Sequence, residues 1–260
     1  MRFPLPRGMW LFLLLCPGLL PVAPVVRADA APVAARTVTL SATRHPVTAT
    51  LFPAAGDGKR PAVILLHGRQ GLAPFAASYR RQAEALAEAG MDAYLLTYYD
   101  AEDLARVNAP DPAARQALFR ERAAAWAGLV RDVAGDILAG ALSSGRVGLL
   151  GFSQGGFLAA GVAGTDPRIA ALVVYYGGVP SVFRDAVRHL PPLLELHGDA
   201  DAVVAPAEGK ALIDLARACG GQATMRVFPG AGHGFSGEDA GKAQMMTVDF
   251  LRRHLLQNAD

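Results

Sequence analysis

Short apolar runs alternate with longer stretches of helical spacing along most of this chain. Val38 to Leu40 and Val47 to Phe52 read as an antiparallel hairpin, and Ala55-Gly56-Asp57-Gly58 reads as a turn. Ala62 to Leu66 is a continuous apolar run, as a strand covered on both faces requires. Tyr79 to Ala89 has helical spacing and stops at Gly90. Met91 to Tyr98 is the next strand, and Ala113 to Leu138 reads as one long Ala- and Arg-rich helix. Val147 to Leu150, Ile169 to Tyr175, Leu193 to Leu196 and Ala223 to Phe228 supply four more strands. Ala243 to Leu256 is a closing amphipathic helix. Strands alternating with helices imply an α/β fold with a mainly parallel central sheet and helices on both faces. No linker, repeat or low-complexity break divides residues 31–260, so a single domain is expected.

Chemistry enters where the Val147 strand ends. Gly151-Phe152-Ser153-Gln154-Gly155 has the form G-x-S-x-G, with small and apolar residues from Gly156 to Ala163 behind it. Strand, sharp turn and helix in that order place a serine hydroxyl proud of the backbone. A serine hydroxyl needs a base to take its proton and a third group to orient that base. On this turn type the partners follow as an acid and then a histidine. The Leu193 strand runs into His197-Gly198-Asp199-Ala200-Asp201, and the last strand runs into Gly230-Ala231-Gly232-His233-Gly234-Phe235. Ser153 is therefore the candidate nucleophile, His233 the base and Asp201 the orienting carboxylate. Asp199 competes with Asp201, but it follows the strand closely and suits a turn or cap.

An oxyanion hole needs backbone donors. The N–H of Gln154, next after the nucleophile, is one candidate. The second is assigned to the Arg69 N–H, in the loop His67-Gly68-Arg69-Gln70-Gly71 after the third strand. His67 and His197 have no partner at metal-ligand spacing and read as hydrogen-bonded loop histidines. No metal or organic cofactor is expected. Tyr98, Tyr99, Tyr176 and Phe235 read equally as pocket lining or as aromatic core.

Residues 1–30 have the form of a secretory signal peptide. Arg2 and Arg7 precede the apolar Met9 to Leu15, and Ala28-Asp29-Ala30 fits the small-x-small cleavage pattern. An exported protein, periplasmic or extracellular, is the expectation. The apolar run is short and broken by Pro17, Gly18 and Pro21, so stable membrane insertion after signal removal is not expected. Without this segment the chain carries 22 basic and 22 acidic residues. That balance argues against nucleic acid as a partner. Cys219 is the one cysteine left in residues 31–260, and it reads as a small packing residue at a helix end.

Over roughly Pro61 to Leu256 the sequence resembles the dienelactone hydrolase family of the α/β-hydrolase fold. Leu65-Leu66-His67-Gly68, the helix from Arg81 to Ala89, and Gly151-Phe152-Ser153-Gln154-Gly155-Gly156 carry the resemblance. Tyr175-Tyr176-Gly177-Gly178, His197-Gly198-Asp199-Ala200-Asp201 and Gly232-His233-Gly234-Phe235 complete it. The elbow alone is also similar to carboxylesterases of the acyl-protein thioesterase type. Three departures are informative. The better-studied members carry a cysteine nucleophile where Ser153 stands. They have a glutamate in the loop after the third strand, where this chain has Gly68. They hold the substrate carboxylate partly through an arginine after the catalytic histidine, where this chain has Phe235-Ser236-Gly237. The resemblance implies a hydrolase for a small-molecule ester. Lactonase, thioesterase and small-peptide hydrolase use the same triad, and a non-catalytic binding protein on this fold is the alternative outside enzymes. Neither the acyl and alcohol groups nor the oligomeric state is legible in the residues.

Overall fold

A computed structural model describes residues 34–40 and 46–256. The expected signal peptide lies outside the described residues. The strands are β1 (Arg36–Leu40), β2 (Val47–Phe52), β3 (Arg60–Leu66), β4 (Asp92–Leu96), β5 (Ser143–Phe152), β6 (Ile169–Tyr175), β7 (Leu193–Gly198) and β8 (Ala223–Phe228). The helices are α1 (Ala76–Glu88), α2 (Ala101–Arg106), α3 (Pro112–Ala139), α4 (Gln154–Ala163), α5 (Ser181–Arg184), α6 (Pro206–Ala218) and α7 (Gly237–Leu255). The strands form one eight-stranded sheet in the order β1-β2-β4-β3-β5-β6-β7-β8. β2 pairs antiparallel with β1 and β4, and every other pairing is parallel.

Side chains alternate across a strand, so each parallel strand feeds two cores. Ile64, Leu66, Leu149, Leu172 and Val174 point to one face and pack with Trp126, Val130, Leu158 and Leu212 from α3, α4 and α6. Val63, Leu65, Leu150 and Val173 point to the other face and meet Ala83, Leu86, Phe250 and Leu251 from α1 and α7. Burial on both faces is why the central parts of these strands are continuous apolar runs.

Local chemistry sets the ends of the elements. Asp111 caps α3 by accepting from the N–H groups of Ala113 and Ala114, with Pro112 in the first turn. Its buried Ala123, Trp126, Ala127, Val130, Ala134 and Ile137 recur at three- and four-residue spacing. Gly90, at φ 89°, follows the last turn of α1 and lets the chain leave in the left-handed region.

The structure departs from the sequence reading at several boundaries. β4 ends at Leu96, because Tyr98 leaves the ladder to donate its hydroxyl to His67 O at 2.8 Å. β5 begins at Ser143, before its apolar run, where the polar start pairs beside Arg60 across a register shift. α7 begins at Gly237, and its first turn is polar and acidic, with Glu238 and Asp239 near the positive end of the helix dipole. α2 and α5 were not anticipated, being too short for periodicity to show. α2 is held by a capping box between Asp100 and Asp103. The buried Asp103 also accepts from Arg122 Nε and Trp126 Nε1, both at 2.8 Å, which ties α2 to α3. Cys219 caps α6 and packs against the core, as expected for a small apolar side chain.

Candidate active site

The turn from β5 into α4 is built by close approach. Ser153 sits at φ 52° and ψ −118°, a conformation that costs a non-glycine residue roughly 1–3 kcal/mol. Its N–H donates to Tyr175 O at 2.9 Å, fixing the turn to β6. A Cβ on Gly151 would collide with the Gly155 backbone, and one on Gly155 would collide with the carbonyls of Leu66 and His67. A Cβ on Gly156 would lie 2.9 Å from Val174 Cγ1. The glycines of the motif are therefore required by contact with β3 and β6 as well as by the turn.

The structure brings Ser153, His233 and Asp201 together from three loops at the C-terminal ends of the strands. His233 Nε2 lies 2.8 Å from Ser153 Oγ, and His233 Nδ1 lies 2.8 Å from Asp201 Oδ2. A carboxylate only accepts, so Nδ1 carries the hydrogen and Nε2 is left to accept from the serine hydroxyl. Asp201 Oδ1 accepts from the N–H groups of Val203 and Val204 at 2.8 and 2.9 Å. Burial by itself raises the Asp201 carboxyl. The bonds from His233, Val204 and Val203 outweigh burial and hold it below the usual carboxylate range. Asp199 does different work. It is exposed and accepts from Gly230 N–H at 2.6 Å, joining the loops after β7 and β8.

The oxyanion candidates are the first N–H of α4 and an N–H of the loop after β3. Gln154 is the first residue of α4, so its N–H precedes the first intrahelical acceptor. Gly68 N–H is used by Tyr79 Oη at 2.9 Å, and the next N–H along that loop is Arg69's. The Arg69 guanidinium is held by protein acceptors. It donates to Val107 O at 2.8 Å and Asn108 Oδ1 at 3.1 Å, anchoring its loop to the end of α2. His67 is buried, stacks on Tyr98 at 4.1 Å and donates Nδ1–H to Gly68 O. Burial pushes its pKa down to about 4, so it stays neutral. Tyr98 and Tyr99 are core residues around Trp126, whereas Tyr176 and Phe235 stand beside the site. The Tyr176 ring centroid lies 4.7 Å from that of His233.

Two features escaped the sequence reading. Gln154 Nε2 donates to Tyr99 Oη, fixing the residue next after Ser153. Glu195, in the middle of β7, is fully buried against His197. The signal for the second was an acid inside an apolar strand. Among the described residues no cluster of His, Cys, Asp and Glu could hold a metal ion.

The sequence model of the dienelactone hydrolase family matches residues 47–250. The chain belongs to the dienelactone hydrolase family. Solved structures agree on the fold. A dienelactone hydrolase from Anabaena variabilis superposes with a TM-score of 0.68 at 19% identity, covering 85% of this chain and 98% of the other. The dienelactone hydrolase-like promiscuous phosphotriesterase P91, from metagenomic libraries, gives 0.66 at 18% identity over 85% and 98%. The acylaminoacyl peptidase of Pyrococcus horikoshii gives 0.69 at 12% identity over 86% of this chain and 42% of its own. No curated protein matches the sequence. Gly68 packs against the turn after β5, where an added Cβ would lie 3.5 Å from Phe152 O and from Tyr79 Oη. A Cβ on Gly68 would lie 3.7 Å from Ser153 Cβ.

Proposed function

We propose that this dienelactone hydrolase family member is a serine hydrolase that cleaves carboxylic esters through an acyl-enzyme. The observation that carries the reading is His233 bridging Asp201 and Ser153 with 2.8 Å contacts on both sides. Ser153 Oγ attacks the ester carbonyl as His233 Nε2 takes its proton. The N–H groups of Gln154 and Arg69 receive the developing oxyanion. The tetrahedral species collapses, and the protonated His233 returns that proton to the leaving alcohol. Water then attacks the acyl-enzyme, giving its proton to His233, and Ser153 leaves with it. Asp201 fixes the tautomer and stabilises the imidazolium in both halves. No metal or organic cofactor enters these steps.

Two observations favour an uncharged ester over a lactone acid. The Arg69 guanidinium is committed to Val107 and Asn108, and Phe235-Ser236-Gly237 supplies no arginine beside His233. The test is hydrolysis of a short-chain p-nitrophenyl ester, with a thioester alongside, followed by labelling with an organophosphonate. The expected adduct is on the peptide holding Ser153. An adduct elsewhere overturns the assignment, and neither turnover nor adduct supports a binding role.

Export to the periplasm or medium belongs to the same proposal. The N-terminal sequence of the protein recovered outside the cytoplasm is expected to begin near Ala31. An uncleaved, cytoplasmic product overturns it.

A further inference from the structure

Leu193, Glu195 and His197 alternate with Leu194 and Leu196 along β7, so Glu195 and His197 share the face covered by α6. Both side chains are fully buried. His197 Nδ1 lies 2.8 Å from Glu195 Oε1, and His197 Nε2 lies 3.0 Å from Val204 O. The same Nε2 is 3.5 Å from Asp201 Oδ2, the oxygen that faces His233. Glu195 Oε1 also accepts from Gly177 N–H at 3.2 Å, and its Oε2 is buried with no hydrogen-bond partner. Gly209 of α6 seals the pair: a Cβ there would lie 2.8 Å from His197 Nδ1 and 2.9 Å from Glu195 Oε1.

Counting hydrogens limits what this cluster can be. Val204 O only accepts, so His197 Nε2 carries a hydrogen. Nδ1 and Glu195 Oε1 then need one hydrogen between them. With none, two lone pairs would face each other around a buried, unpaired carboxylate. With that proton on the carboxyl the pair is neutral, and with it on the ring the pair is an ion pair. The total charge is the same in both.

Resting on the reading of Ser153, His233 and Asp201 as a triad, we propose that Glu195 and His197 share one buried proton and act through it as a positioning pair behind Asp201. His197 holds Val204 by its carbonyl, and the N–H groups of Val203 and Val204 in turn hold Asp201 Oδ1. The ring therefore sets the loop that aims the carboxylate at His233. A proton on Nδ1 also places a positive charge behind Asp201 and weakens its support of the His233 imidazolium. Loss of the proton puts a negative charge there and strengthens that support. The groups that face the pair are few. The loop after β6 offers the Gly177 N–H, α6 offers Gly209, and the loop after β7 offers Asp201 with His233 beyond it. Burial raises the Glu195 carboxyl to about 7, and the bond from His197 only partly opposes it. Burial lowers the His197 ring, but Glu195 and Val204 outweigh that and raise it. Both directions favour a proton held within the pair.

The direct test is NMR of the full chain labelled with 15N in its histidine rings. The expected result is an Nε2 of His197 that stays protonated from pH 5 to 9. Its Nδ1 is expected to show a proton shifted far downfield that disappears toward alkaline pH. An Nδ1 that carries no shared proton at neutral pH overturns the proposal. In Glu195→Gln, kcat for the ester is expected to fall roughly tenfold, as loss of one charge-assisted bond would give. KM is expected to stay within about twofold, and the alkaline half of the kcat profile to change shape. An unchanged profile in the folded variant overturns the proposal, and a variant that fails to fold leaves the NMR result to decide. The ring spectrum does not depend on turnover. Absence of ester hydrolysis and phosphonate labelling would instead count against the triad.

Discussion

Replacing Ser153 by alanine is expected to lower kcat/KM for a p-nitrophenyl ester by roughly 10⁴-fold or more, with any residue owed to binding and the oxyanion donors. In the proposed mechanism the Ser153 hydroxyl accepts the acyl group, and His233 Nε2 lies 2.8 Å from it. Alanine keeps the Cβ and so keeps the strain of φ 52°. Ser153→Gly removes both the hydroxyl and the strain. Relief of an estimated 1–3 kcal/mol is offset by the backbone entropy of glycine, which costs about 0.5–1 kcal/mol. The glycine variant is therefore expected to be more stable than the alanine variant by about 1 kcal/mol. In a domain of this size that is a Tm difference of about 2–4 °C. Both variants lack the Oγ bond to His233, so the comparison isolates the backbone. Equal melting temperatures would mean that the turn stores no strain at Ser153. Alanine with near-native activity would remove Ser153 from the mechanism.

This strain explains why the elbow was readable in the residues. A serine at positive φ needs neighbours without side chains, and the glycines of the motif record that need directly. The strands β3, β5, β6 and β7 were legible for a similar reason: strands buried on both faces leave continuous apolar runs, such as Ala62 to Leu66. Loops were less legible. Asp199 and Asp201 are two residues apart, and only the three-dimensional path of the chain puts one on Gly230 and the other on His233. The anchoring of the Arg69 guanidinium was not legible because its partners, Val107 and Asn108, are distant in sequence. α2 was invisible because a helix of six residues has no period to display. Glu195 was passed over because an isolated acid in a strand acquires meaning only beside the His197 ring.

The two aspartates give the second large prediction. Asp201→Asn is expected to lower kcat by about 10⁴-fold while leaving the fold intact. The amide oxygen can still accept from Val203 and Val204, in place of Oδ1. The amide nitrogen then faces His233 Nδ1, and as a donor it requires Nδ1 to accept. The ring hydrogen moves to Nε2, which now points a donor at Ser153 where a base is needed. The variant also loses a source of acid sensitivity. A carboxyl held below its unfolded value stabilises the fold above that value, and the contribution is lost as pH falls through the folded one, below about pH 4. Asp199→Ala removes only an exposed acceptor for Gly230 N–H. It is expected to cost about 1 kcal/mol of stability and to leave kcat within a few-fold. Steady-state kinetics on both variants, with acid denaturation of each, checks the assignment. Because the two carboxylates share a loop, a general loosening of that loop would depress both variants alike. Loss of turnover confined to Asp201→Asn is therefore what ties the function to the orientation of His233.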